Sequence, residues 1–306
     1  MNADTKPRIG FIGLGLMGHG MAKNVVAKGY PLTVCAHRNR KPLTDLLAAG
    51  AQEVKTHADV ARASDIVFLC VTGTPQVESV VYGDTGLLSV AREGLIVVDT
   101  STAEPASTAA IRLDFGAKRA LFVDAPLART PVEAEQGRLN TMVGADDAVF
   151  ARLKPVLSLF CENVIHAGPP GHGHTLKLIN NFLAMAIANA TAEACGAAVK
   201  SGLSLKKLHE VISAGAVNSG IFQLIVGKML EGNGDLTGLK FTLVNAMKDL
   251  RYYTHLAESL PVPCIVGEAV HQSLIMANLL GFGDKYVASL VEAQEKLAGV
   301  AIVPRG

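Results

Sequence analysis

The chain has 306 residues, with 28 Lys and Arg against 27 Asp and Glu; 49% of its residues are hydrophobic and 18% charged. A net charge of +1 leaves no polyanion-binding signature, so nucleic acid is not an expected partner. Hydrophobicity at this level excludes a disordered chain, and the length accommodates two domains with at least one sizeable core.

The five cysteines, Cys35, Cys70, Cys161, Cys195 and Cys264, are scattered, odd in number and contain no CxxC pair. They are expected to be buried, reduced thiols of a cytoplasmic protein; neither a disulfide framework nor a metal site is expected. Met1–Arg8 is short and polar, without the apolar stretch of a signal peptide. The most membrane-like run, 178–199, is interrupted by Asn180, Asn181, Asn189 and Glu193, so it reads as a buried helix and no membrane partner is expected.

In chain order, Arg8–Gly13 predicts a strand, about 16–28 a helix, Leu32–Ala36 a strand and Leu43–Ala49 a helix. Ile66–Val71, Leu95–Asp99 and Leu121–Asp124 are short apolar strands ending in turn residues. Strands alternating with helices and apolar on both faces predict a doubly wound, mostly parallel α/β sheet of the Rossmann type. The pattern changes after Gly168-Pro169-Pro170-Gly171. From there, long apolar-periodic segments predict helices near 174–201, 204–214, 218–230, 240–258, 263–281 and 284–298. The expected organisation is a dinucleotide-binding domain over 1–168 and an all-helical substrate and oligomerisation domain over 169–306.

The strongest motif is Gly13-Leu14-Gly15-Leu16-Met17-Gly18. It follows a predicted strand and opens a predicted helix, the context that makes this spacing meaningful. Gly13 permits the tight turn, Gly15 lets backbone approach a pyrophosphate, and Gly18 lets the helix pack closely; the amides of Leu16 and Met17 complete an anion-binding turn. The end of the second strand selects the cofactor. It reads Val34-Cys35-Ala36-His37-Arg38-Asn39-Arg40-Lys41, with no carboxylate before Asp45. An acidic residue would hold the ribose hydroxyls of NAD, whereas His37, Arg38 and Arg40 suit the 2′-phosphate of NADP. NADP is therefore the expected cofactor, with NAD as the alternative; a solvated cationic loop would look the same.

Asp99-Thr100-Ser101-Thr102-Ala103-Glu104-Pro105 lies at the carboxyl end of a predicted strand, where such sheets place their ligands. Ser101 and Thr102 suit orientation of a nicotinamide or substrate, and equally a helix cap. Further on, Lys177 and Asn181 are four apart and share a helix face. A lysine there is either a snorkelling surface residue or a proton donor.

Four ordered blocks, Gly10–Asn24, Asp99–Pro105, Asp124–Gly144 and Gly171–Asn181, with Lys248-Asp249 as a weaker fifth, make the chain resemble the β-hydroxyacid dehydrogenase family over nearly its whole length. The resemblance implies a Rossmann domain followed by a helical domain, with the substrate in the cleft between them. It also implies that Lys177 is the catalytic lysine, that Asn181 helps hold the substrate, that Ser101 and Thr102 lie near the ring and substrate, and that Lys248 lies near the nicotinamide ribose or phosphate. An ammonium there stabilises alkoxide charge and exchanges the proton.

One block departs from the family. Its usual Asp-Ala-Pro-Val-Ser-Gly-Gly is here Asp124-Ala125-Pro126-Leu127-Ala128-Arg129-Thr130. Ala128, Arg129 and Thr130 thus replace the Ser-Gly-Gly that presents amides to a carboxylate. Arg129 adds a planar fork suited to carboxylate, sulfonate or phosphate, unless it simply faces solvent. This Ala-Arg-Thr is similar to a Gly-Arg-Thr of family members that resemble sulfolactaldehyde reductase, which puts 3-hydroxyisobutyrate itself in question. The expected function is hydride transfer between NAD(P) and a small anionic 3-hydroxy acid or its semialdehyde. The rivals are an imine-reducing relative, against which Lys177 speaks, and a silent dinucleotide-binding scaffold. The apolar helical half predicts a homodimer or homotetramer.

Overall fold

The computed structural model describes residues 6–35 and 40–305; within these, the chain divides into two compact units, one ending at Lys177 and the other beginning at Leu178. His37 and Arg38 lie outside the described residues.

The first unit opens with β1 (Ile9–Ile12), α1 (Gly18–Ala27), β2 (Leu32–Cys35), α2 (Leu43–Ala48) and β3 (Gln52–Glu53). It continues through α3 (His57–Ala63), β4 (Ile66–Leu69), α4 (Thr74–Tyr82), β5 (Ile96–Asp99), α5 (Pro105–Ala117) and β6 (Leu121–Asp124). The remaining elements are β7 (Leu127–Ala128), α6 (Pro131–Glu135), β8 (Leu139–Gly144), α7 (Asp147–Leu157), β9 (Cys161–Gly168) and the start of α8 (His172–Lys200). Among the described residues these strands form one sheet in the order β3-β2-β1-β4-β5-β6-β8-β7, with β9 beside β8. The first six are parallel; β8 runs antiparallel to β6 and β7.

This is the doubly wound order of a dinucleotide-binding fold, with its switch point between β1 and β4. The alternation of strand side chains builds two cores. Ile9, Phe11, Ile66, Phe68, Ile96 and Val98 face one side, and Ile12, Val67, Leu69 and Val97 the other. Phe68 anchors the first core, stacked 5.9 Å from Phe11 and edge-on to Phe160 at 5.3 Å. Burial on both faces explains why the parallel strands other than the edge strand β3 read as largely apolar runs. Strands β8 and β9 carry no such run; β9 leaves Glu162, Asn163 and Ile165 exposed, as an edge strand does.

The second unit holds the rest of α8, then α9 (Leu205–Ala214), α10 (Gly220–Phe222), a π-helical turn (Gln223–Gly227) and α11 (Lys228–Glu231). After these come α12 (Leu243–Ser259), α13 (Ile265–Ala277) continuing into a π-turn (Asn278–Phe282), a 3-10 turn (Val287–Ser289) and α14 (Leu290–Ala298). Its core packs Met185, Ala188, Ala192 and Cys195 of α8 with Leu243, Ala246 and Leu250 of α12, Val270 and Leu274 of α13, and Val291 of α14. The predicted helix at 218–230 is broken into three pieces, and the one at 284–298 begins as a 3-10 turn.

Candidate active site

The three glycines after β1 are required for different reasons. Gly13 has a φ of +97°, and a Cβ there would lie 2.1 Å from the Cys70 carbonyl oxygen after β4. A Cβ at Gly18 would lie 1.9 Å from the Gly13 carbonyl oxygen. Both are demanded by the fold. At Gly15 a Cβ would meet nothing within 4 Å. Packing gives no reason for a glycine at position 15; an approaching ligand does. The helix that follows supplies the rest of an anion site. Met17 caps α1 without a side-chain hydrogen bond, and its first turn holds no acidic residue. Leu16 is 80% exposed beside this turn, an apolar side chain with no protein cover. The turn therefore fits a pyrophosphate.

Of the cations expected to select the cofactor, Arg40 makes a two-pronged pair with Glu53, 2.9 Å on each prong.

The loop after β5 is tied to the switch point. Ser101 Oγ accepts the Val71 amide at 3.0 Å, and the Ser101 amide donates to Asp99 Oδ1 at 2.9 Å. Ser101 is buried and Thr102 half-buried. The helix cap weighed for this block falls instead on Glu104, whose amide donates to Thr74 Oγ1 at 2.9 Å without a side-chain cap of its own.

Asp99 and Asp124 end neighbouring parallel strands, are register partners and are both fully buried. Asp124 closes the N-terminus of α8: Oδ1 accepts the Gly171 amide at 2.7 Å and Oδ2 the His174 amide at 2.9 Å. Burial pushes the Asp99 carboxyl above the usual carboxylate range, assisted by the Asp124 charge and opposed by His174 and Ser101. His174 is itself fully buried. It occupies the first turn of α8, with Nδ1 2.8 Å from Thr108 Oγ1 and Nε2 3.2 Å from the Ser101 carbonyl oxygen. Lys177, half-buried, is one turn further along this helix. These contacts hold the first turn of α8 in the first unit.

In the second unit, Asn181 donates to Asp249 Oδ2 at 2.6 Å, and the Lys248 ammonium lies 2.8 Å from Asp249 Oδ1 and over the Tyr252 ring. Asp249 is nearly fully buried. It therefore links the two residues expected from the sequence, a role that spacing alone did not reveal.

Ala128 ends β7, opposite Asn140 of β8. Arg129 follows with a φ of +83°, left-handed backbone that favours glycine. Its guanidinium pairs with Glu162 of β9 and with the Arg138 carbonyl oxygen, and this pairing holds the Glu162 carboxyl below its usual range. Thr130 caps α6: its hydroxyl accepts the Val132 amide at 3.3 Å, and Glu133 returns a bond to the Thr130 amide at 3.0 Å. The Thr130 hydroxyl also donates to Glu133 Oε2 at 2.5 Å.

All five cysteines are thiols rather than disulfides, and burial pushes Cys70, Cys161 and Cys195 to about 12, leaving them protonated at neutral pH. No group of His, Cys, Asp and Glu among the described residues has the arrangement of a metal site.

Residues 8–168 match the family profile described as the NAD binding domain of 6-phosphogluconate dehydrogenase, and residues 171–293 that described as NAD-binding of NADP-dependent 3-hydroxyisobutyrate dehydrogenase. The chain is 32% identical over 296 residues to 2-(hydroxymethyl)glutarate dehydrogenase of Eubacterium barkeri, covering 96% of this chain and 97% of that one. It is 34% identical over 293 residues to 2-hydroxy-3-oxopropionate reductase of Escherichia coli (strain K12), covering 95% and 98%. The crystal structure of 3-hydroxyisobutyrate dehydrogenase from Salmonella typhimurium superposes with a TM-score of 0.78 at 27% identity, covering 93% of this chain and 99% of that one.

Proposed function

The chain belongs to the β-hydroxyacid dehydrogenase family, an NAD(P)-dependent oxidoreductase of 3-hydroxy acids, and on that premise we propose that it interconverts a small anionic 3-hydroxy acid and its semialdehyde through Lys177. The observation that carries this reading is the placement of the first turn of α8. Asp124 closes that turn and His174 packs it against the Ser101 loop, one turn before Lys177.

A dinucleotide, when bound, would supply or accept the hydride. Gly13, Gly15 and Gly18, with the amides of Leu16 and Met17, would hold its pyrophosphate, and Ser101 and Thr102 would serve its ring. His37, Arg38 and Arg40 would favour NADP through a 2′-phosphate, and Lys248 would serve its ribose or phosphate, as the family resemblance implies. Lys177 contributes a positive charge at the reacting oxygen. In reduction it stabilises the developing alkoxide and donates the proton; in oxidation it takes that proton back. Asn181, oriented by Asp249, presents its second amide hydrogen to a substrate oxygen.

Arg129 supports an anionic substrate, carboxylate or sulfonate. An arginine held at a φ of +83° is strained where a glycine would not be, so its side chain must supply what the backbone loses. A substrate anion reaching that fork competes with Glu162. This favours a sulfolactaldehyde-type semialdehyde as the second reading of the substrate.

The apolar outer face of the second unit, with Ile265 and Leu279 each 81% exposed, supports a homodimer or homotetramer; light scattering in solution tests it. Reduced thiols suit a reducing, cytoplasmic location.

The test is Lys177→Ala, assayed by reduced-nicotinamide absorbance against succinic, tartronate and methylmalonate semialdehydes and sulfolactaldehyde. Turnover collapses while NADPH binding, followed by fluorescence, survives. Turnover that persists removes Lys177 from the chemistry; a parent protein inactive on every substrate favours a silent scaffold.

A further inference from the structure

Three ionisable side chains, Asp99, Asp124 and His174, sit fully buried together at the carboxyl edge of the sheet. Apolar side chains of similar volume are commonly as stable or more so at buried ionic sites, so a cluster of this kind calls for a reason other than stability. Asp124 has one, since it caps α8. His174 and Asp99 are not needed for that cap.

The contacts of His174 join three segments. Nδ1 meets Thr108 on α5, Nε2 meets the Ser101 carbonyl in the loop after β5, and the ring's own backbone belongs to the first turn of α8. A carbonyl oxygen only accepts, so Nε2 carries the hydrogen; the Thr108 hydroxyl, which also lies 3.2 Å from the Glu104 carbonyl oxygen, can donate to or accept from Nδ1. Asp99 Oδ2 lies 3.8 Å from Nε2 and accepts no hydrogen bond among the described residues. Its other oxygen holds the Ser101 amide. Asp99 and His174 therefore grip Ser101 from its two sides, by its N–H and by its C=O. Position 174 is also one helical turn from 177.

We propose that His174 is a positioning residue: through Ser101 and Thr108 it sets the register between the Ser101–Thr102 loop and the helical turn that carries Lys177. The inference rests on the reading of Lys177 as the reacting amine. His174 touches no reacting atom; it holds two parts of the site at a fixed separation. Such alignment contributes to turnover more than to binding, because misplacement by about 1 Å costs up to about 100-fold in rate.

The experiment compares His174→Leu, His174→Gln, Thr108→Val and Lys177→Ala, each assayed with NADPH and succinic semialdehyde, with NADPH affinity measured by fluorescence. Glutamine retains a donor for the Ser101 carbonyl and an acceptor for the Thr108 hydroxyl; leucine retains neither. In His174→Leu, kcat is expected to fall about 10- to 100-fold while KM and NADPH affinity stay within about threefold, and His174→Gln to recover most of the loss. A parent-like kcat in His174→Leu overturns the proposal, as does a glutamine variant no better than leucine. Should His174→Leu fail to fold, Thr108→Val decides, because it removes the Nδ1 partner without altering α8: kcat falls severalfold, and an unchanged value overturns the inference. Lys177→Ala separates the two readings. If it is inactive while His174→Leu is parent-like, only the positioning role fails; if it turns over, the Lys177 reading itself fails.

Discussion

Gly144 makes room for Asp124: a Cβ at Gly144 would lie 2.6 Å from both carboxylate oxygens of Asp124, the same oxygens that close α8. Gly173 does the same from the helix side, where a Cβ would come within 2.8 Å of Asp124 Oδ2. Two glycines from distant parts of the chain thus shape the seat of one buried carboxylate. Asp124→Ala leaves one buried and one part-buried amide without acceptors and should cost roughly 2–5 kcal/mol of stability. Gly144→Ala should cost about 1–3 kcal/mol by overpacking. Urea unfolding measures both, and a Gly144→Ala protein as stable as the parent would show that the carboxylate can shift.

The glycine turn separates fold from binding. Gly13→Ala combines a φ of +97° with a backbone clash and should destabilise the protein by at least about 2 kcal/mol. Gly15→Ala meets open space, so its stability should stay within about 0.5 kcal/mol of the parent. NADPH affinity should instead drop about tenfold or more, some 1.4 kcal/mol. Thermal melts with and without NADPH distinguish the two; equal affinity for Gly15→Ala and parent would mean the pyrophosphate does not sit at this turn.

Arg129 should show a stability–function conflict. Arg129→Ala is expected to raise KM for an acidic semialdehyde by the equivalent of about 1–3 kcal/mol. Arg129→Gly should do the same while stabilising the fold by about 0.5–1 kcal/mol, because it relieves the left-handed backbone. Glu162→Gln should lower KM, since it weakens the internal competitor for the fork. A KM unaffected by all three would place the substrate anion elsewhere.

A pH-dependent clamp joins α1, α2 and α6. His19 Nδ1 lies 2.6 Å from Glu135, its Nε2 lies 2.9 Å from Asp45, and Lys23 also pairs with Glu135 at 2.9 Å. Burial alone would lower the His19 pKa, but the bonds and charges of Glu135 and Asp45 outweigh it, leaving it above the ordinary 6.5. A raised folded-state pKa means stability fully present below the unfolded pKa and lost as pH rises through the folded one. Both carboxyls are held below their usual ranges against the opposing effect of burial, Asp45 chiefly by its His19 bond and Glu135 by its Lys23 bond first and its His19 bond next. Their contribution is present above the ordinary carboxylate pKa and lost as pH falls through the folded value. His19→Gln should therefore be most destabilising between these limits, near pH 5 to 6, and nearly neutral at alkaline pH. Melting curves of parent and variant across pH check this; a constant difference would show that His19 is not charged in the clamp.

Five of the six parallel strands, the glycine turn and the long helices of the second half were legible because each is a local pattern; β3, two exposed polar residues, was not. An apolar run buried on both faces, a turn needing positive φ and a 3.6-residue period are properties of neighbouring residues. Strands β8 and β9 were not, since their mixed polarity has meaning only beside β6. The lysine and asparagine four apart on one helix were also readable from spacing. Asp99, Asp124, His174 and Asp249 were not: their roles depend on partners up to 75 residues away, Asp99 with His174 for example. Two signals stood in the sequence, an aspartate ending each of two neighbouring strands and a histidine one turn before a lysine, yet neither shows burial. Linear order specifies what a segment can become; which charges lose their water, and what compensates them, depends on the folded packing, because desolvation is a property of surroundings and not of spacing.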